Sequence, residues 1–160
     1  MQTTARLLFA AVAASAALPA QCPFQTVTTQ SLAPGCNFAS TGLCAIVALP
    51  TTLTTTLDTT NCRLDISVNA FEGCGATVPL RALVFGTQQV FVPLPEFGAT
   101  CALHVAPIAM LATASGPFSL NLPPGLSSLS FLVQGAALSV PPFAIGNILT
   151  LSDAQSIDLQ

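Results

Sequence analysis

From Leu43 onward the chain is a series of short apolar or alternating runs cut by Pro, Gly and Asn. Such punctuation predicts strands and turns, because Pro cannot donate to a backbone ladder and Gly weakens regular structure. The clearest run covers 62–68. Cys62, Leu64, Ile66 and Val68 share one face, and Arg63, Asp65, Ser67 and Asn69 share the other. That is the period of two of a strand buried on one side. Further strands are predicted over 43–49, 78–85, 89–93, 101–105, 118–122, 129–139, 144–151 and 156–159. Prolines sit at the edges of these runs, at Pro50, Pro79, Pro93, Pro95, Pro107, Pro117, Pro123, Pro124, Pro141 and Pro142. Beyond the first twenty residues, no stretch of roughly twelve or more carries an apolar stripe at helical spacing without a Pro or Gly inside it. Many short strands in one domain predict an all-β fold, a two-sheet antiparallel β-sandwich of Ig-like or jelly-roll-like kind.

Two stretches lack a clear period. Residues 21–42, rich in Cys, Pro, Thr and Gln, read as an irregular leader tied down by disulfides. Residues 51–61 are mostly Thr and read as a β-rich connector with exposed threonines, a solvated strand or an O-glycosylated patch. The predicted organisation is a secretory signal at 1–20, the leader at 21–42, and one β-sandwich domain at 43–160.

The signal assignment rests on Arg6, an apolar run over 7–14, small residues to Ala17 and the ending Leu18-Pro19-Ala20. This is a positive start, an apolar stretch and a small-residue cleavage site, which predicts cleavage after Ala20. The run is shorter than the roughly twenty residues a spanning helix needs. Gln21 before Cys22 does not fit a lipid-modified cysteine, and Pro141-Pro142 with Gly135 and Gly146 breaks the later apolar region. The closing residues 152–160 are too polar for a removable lipid-anchor tail. Export with no membrane span in the mature chain follows, to a secreted or cell-envelope location.

Six cysteines, Cys22, Cys36, Cys44, Cys62, Cys74 and Cys101, all lie after the signal. An even number in an exported chain predicts three disulfides, with every pairing open. None is in a Cys-x-x-Cys pair and the chain has one histidine, so no metal site is expected. Past the signal the only cations are Arg63 and Arg81, against Asp58, Asp65, Glu72, Glu96, Asp153 and Asp158. Nucleic acid and anionic membrane surfaces are disfavoured as partners, since both call for clustered positive charge. A surface this poor in charge is covered by Thr, Ser, Gln, Asn and apolar groups, which suits a protein packed against others.

Candidate chemistry is sparse. His104 is the only natural general base near neutral pH, and in the 101–105 run it points away from Cys101, Leu103 and Val105, as a surface or sheet-face histidine does. No serine sits in Gly-x-Ser-x-Gly. Asp65 shares a face with Arg63, which predicts a surface ion pair. Trp and Tyr are missing, so the usual sugar-stacking platforms are too. No phosphate-binding or dinucleotide fingerprint occurs, and no cofactor is expected. Phe71, Phe85, Phe91, Phe97, Phe118, Phe131 and Phe143 lie in or beside predicted strands and are expected to fill the core between sheets.

One pattern runs through the second half of the chain. Leu83-Val84-Phe85-Gly86, the turn Pro93-Leu94-Pro95, Gly98-Ala99-Thr100-Cys101-Ala102-Leu103, Phe118-Ser119-Leu120-Asn121-Leu122-Pro123, Leu129-Ser130-Phe131-Leu132-Val133-Gln134 and Leu149-Thr150-Leu151-Ser152-Asp153-Ala154 follow in order. Over about residues 62–160 this order resembles a group of small secreted β-sandwich proteins of planctomycete-type bacteria. Departures are Thr100 between the glycine strand and Cys101, Asp153 in place of Asn, and the extra cysteines Cys44, Cys62 and Cys74. The resemblance implies export and fold. The group has no established activity to carry over.

The expected function is that of a secreted, non-catalytic β-sandwich module acting by protein contact or assembly at the cell surface, envelope or matrix. One alternative is a carrier or sensor of a small apolar ligand in the core between sheets. A second is a hydrolase using His104.

Overall fold

A computed structural model describes residues 22–36, 51–70, 76–97, 101–140 and 148–160. These form the strands β1 (Val27–Ala33), β2 (Thr52–Asp58), β3 (Arg63–Asn69), β4 (Thr77–Gly86), β5 (Gln89–Pro93), β6 (Ala102–Val105), β7 (Ala109–Thr113), β8 (Phe118–Asn121), β9 (Leu129–Val140) and β10 (Ile148–Leu159), with a 3-10 turn at Pro95–Phe97. Every pairing is antiparallel, and the all-β class predicted from the period of two is what the chain adopts. The predicted strand at 43–49, the signal at 1–20, and Cys44, Cys74, Phe71 and Phe143 lie outside the described residues.

Strand β3 shows why the sequence folds this way. Leu64, Ile66 and Val68 are buried, while Arg63, Asp65 and Ser67 between them are half-buried. It pairs without a slip to β2, from Thr52↔Asn69 to Asp58↔Arg63, and to β8 on its other side. The order β2-β3-β8 makes a three-stranded sheet whose inner face carries Leu53, Leu64, Ile66, Val68 and Phe118. Opposite lies a five-stranded sheet in the order β1-β10-β9-β4-β7, contributing Leu83, Val133, Ala137, Ile157 and Leu159 to the same apolar core.

The reverse face of the five-stranded sheet is not bare. Val84 and Ala154, with Leu132 packed against them, meet Val105 and Leu103 of a two-stranded β5-β6 hairpin. The fold therefore has three layers, with the large sheet in the middle.

Of the stretch read as an irregular leader, residues 22–36 are described, and they include a regular element. Val27–Ala33 is a regular strand, β1, bonded along β10 from Val27↔Leu159 to Ser31↔Gln155. The pattern of two is hidden there because β1 lies at a sheet edge, with Thr28, Thr29, Gln30 and Ser31 all exposed. The described part of the predicted leader thus contributes a strand to the five-stranded sheet. The Thr-rich stretch includes a strand, β2, in which Thr52, Thr54 and Thr56 face solvent and Leu53 faces the core.

Two disulfides join described residues. Cys22–Cys62 spans 40 residues and Cys36–Cys101 spans 65, with Cα atoms 4.9 and 4.8 Å apart. The first ties the start of the β1 segment to the β2–β3 turn. The second ties its end to the start of β6. Since β1 itself belongs to the central sheet, this one segment fastens all three layers together.

Candidate functional site

The most polar interior point lies where β10 bulges against β9. Leu151 pairs with Ala136 and Ala154 with Gln134, so Ser152 and Asp153 together oppose Gly135 alone. A bulge leaves ladder groups without partners. Here side chains replace them. The Ser152 hydroxyl accepts the Gly135 N–H at 2.8 Å and donates to the Asp153 carbonyl at 2.7 Å. The fully buried Gln134 amide donates to the carbonyls of Ser152 and Ala102, each at 3.2 Å, and its Oε1 accepts the His104 backbone N–H at 2.7 Å. Gln134 thus bonds the middle sheet to β6.

Gly135 faces the three-stranded sheet at this point. A Cβ there would lie 2.7 Å from Leu53 Cδ2 and 3.2 Å from Val68 Cγ2, so a larger residue would oblige those side chains to shift. Gly35, just after β1, lies against the bulge, where a Cβ would collide with the Leu151 carbonyl and the Ser152 backbone.

His104 lies on the sheet face away from Leu103 and Val105, as predicted, but it is only 9% exposed. Its ring packs against Phe91 with centroids 5.6 Å apart. Among the described residues the ring has no hydrogen-bond partner. Phe91, expected in the core, is 71% exposed, because β5 belongs to the thin outer layer and turns it outward. Phe118 does fill the core, and Phe85 and Phe131 pack against it as a pair with centroids 6.0 Å apart. Phe24, which no strand pattern points to, is fully buried.

The predicted Arg63–Asp65 ion pair is present at 3.0 Å, and Ser119 donates to the other Asp65 oxygen at 2.6 Å. This group sits on the outer face of the three-stranded sheet. His104 sits on the hairpin beyond the middle sheet, so serine, carboxylate and histidine are not brought together here. Among the described residues no cluster of His, Cys, Asp and Glu is arranged to hold a metal.

The remaining candidate is an edge. Strand β7, which sequence pattern does not predict, pairs with β4 from Arg81↔Thr113 to Phe85↔Ala109, and among the described strands it has no second neighbour. Ile108, Ala109, Met110, Leu111 and Ala112 are all exposed, Ile108 at 71% and Met110 at 68%. No charged side chain occurs between Glu96 and Asp153. Proteins usually protect an open edge with charge, Pro or a bulge. Residues 108–116 contain no charge and no Pro, and the β4–β7 register is unbroken. The opposite edge, β1, differs: its exposed residues are polar and its ladder shifts between Ser31 and Ala33. No helix of the described residues is long and apolar enough to cross a membrane.

Comparison of the chain with protein-family models, with curated proteins and with solved structures finds no match.

Proposed function

We propose that this chain is an exported, non-catalytic β module that acts by protein contact or assembly at a cell surface, envelope or matrix. The observation that carries the reading is the apolar, uncharged β7 edge, which has no second neighbour among the described strands. An edge of this kind offers a row of backbone donors and acceptors to a further strand, with apolar side chains to exclude water from the new pair. Two disulfides support an oxidising destination, where such bonds persist. The order of motifs over 62–160 and the signal-like start support the same address.

The test is fractionation of the purified mature protein. Self-association, or saturable binding to isolated envelope or matrix material, is expected. A protein that stays monomeric and binds neither fraction overturns the reading.

A further inference from the structure

Resting on that contact reading, we propose that the partner of β7 is β7 of a second copy, paired antiparallel about a two-fold axis at Leu111. Three observations favour a second copy over an unrelated strand.

The first is size matching along the strand. With Leu111 opposite itself, Met110 faces Ala112 of the copy, Ala109 faces Thr113, and Ile108 faces Ala114. Every bulky side chain outside the axis meets a small one, and the reverse pairing repeats the match on the other side of the axis. Cross-strand neighbours of this kind are the unit of sheet stability. The second is charge. The chain carries a formal net charge of −3, which opposes the approach of two copies by most surfaces. The seam 108–114 contributes none of it. Arg81 lies one strand back on β4, where its guanidinium donates to the Val78 and Ala114 carbonyls. The third is geometry. The unbroken β4–β7 ladder presents a regular backbone edge, so a self-pair extends the middle layer across both molecules as one antiparallel sheet. A closed two-fold contact uses up the edge on each copy and stops at a dimer.

A seam confined to one short strand falls at the weak end of specific interfaces, with a Kd on the order of micromolar. Sedimentation of the mature chain over a dilution series is the first measurement, and a reversible dimer is expected. The double variant M110K with A112K sets lysine against lysine across the seam twice. It weakens the dimer by about tenfold or more while leaving the monomer folded, since both positions are exposed. Its far-ultraviolet spectrum and bridge map check the folding. Register is read by cysteine pairing. L111C places two thiols opposite each other at the roughly 5 Å Cα separation that a disulfide spans, and gives a covalent dimer on mild oxidation. A109C holds them about 13 Å apart and does not.

A dimer unaffected by the lysines overturns the β7 self-pair, crosslinking through A109C and not L111C overturns its two-fold at Leu111, and both leave the contact reading standing. A monomer that binds envelope material does the same. A monomer that binds nothing removes both.

Discussion

Thr55 sits on the inner face of β2 between Leu53 and Leu57, and its buried hydroxyl has no hydrogen-bond partner among the described residues. An unmet hydroxyl in an apolar setting is destabilising, and valine has nearly its shape. Thr55→Val should therefore raise stability by about 1 kcal/mol in denaturant unfolding; a loss would show that the hydroxyl is bonded. Thr51 makes the contrast, since its hydroxyl shares a 2.5 Å hydrogen bond with that of Thr150 between the two large layers. Asp58 shapes the β2–β3 turn. One carboxylate oxygen accepts the backbone N–H groups of Thr60 and Asn61 at 3.0 Å, and the other accepts the Asn61 side-chain amide at 2.7 Å. The Asn61 side-chain bond, followed by its backbone bond, holds the carboxyl below its ordinary value of 3.8. A lowered folded value means that the turn gains stability from Asp58 above pH 3.8 and loses it as pH falls through the folded value. The Thr60 and Asn61 amide resonances should titrate with a midpoint below 3.8, and a midpoint at or above it would contradict the turn geometry. Cys62, with φ of 50°, ends that turn in a left-handed conformation that few non-glycine residues adopt. The period of two gives no hint of this, because it places Cys62 in the strand.

Elements with apolar alternation or a continuous apolar run were legible in the sequence, and the exposed edge strands β1 and β7 of the large sheet were not. Strands β3, β4, β6, β8 and β9 carry an alternating or continuous apolar run because one or both faces meet another layer, while β5 has an apolar run although it is mostly exposed. β1 and β7 lack a buried face over most of their length, so nothing forces alternation on them. β10 reads as two strands, since Ser152 and Asp153 interrupt the apolar run, yet it is one strand with a bulge. The candidate site inherits the same limit: an uncharged edge is a missing signal, whereas His104 attracts attention by being the only one of its kind. Gln134, which bonds the middle layer to β6, looks from sequence like one polar residue in an apolar strand. Replacing it by methionine keeps the volume and removes the bonds that Gln134 makes to the His104 N–H and to the Ala102 and Ser152 carbonyls. Gln134→Met should cost about 3 kcal/mol or more, judged by denaturant midpoint. A change under about 1 kcal/mol would mean that water meets those groups instead.

At the scale of the molecule the three layers bury little against one another on the hairpin side, where the shared apolar cluster is small. Covalent fastening is correspondingly important. In the chain-entropy account, bridges closing loops of 40 and 65 residues each contribute about 4 kcal/mol. The segment carrying Cys22, β1 and Cys36 acts as a strap across the whole fold, with Cys36 also bonded to the Leu151 backbone beside the bulge. Non-reducing peptide mapping of the native protein, cut with chymotrypsin and an Asp-directed protease to separate Cys22 from Cys36, reads the strap directly. Linked peptides joining Cys22 to Cys62 and Cys36 to Cys101 are predicted. A Cys22–Cys36 link, or free thiols at any of these four positions, would contradict it.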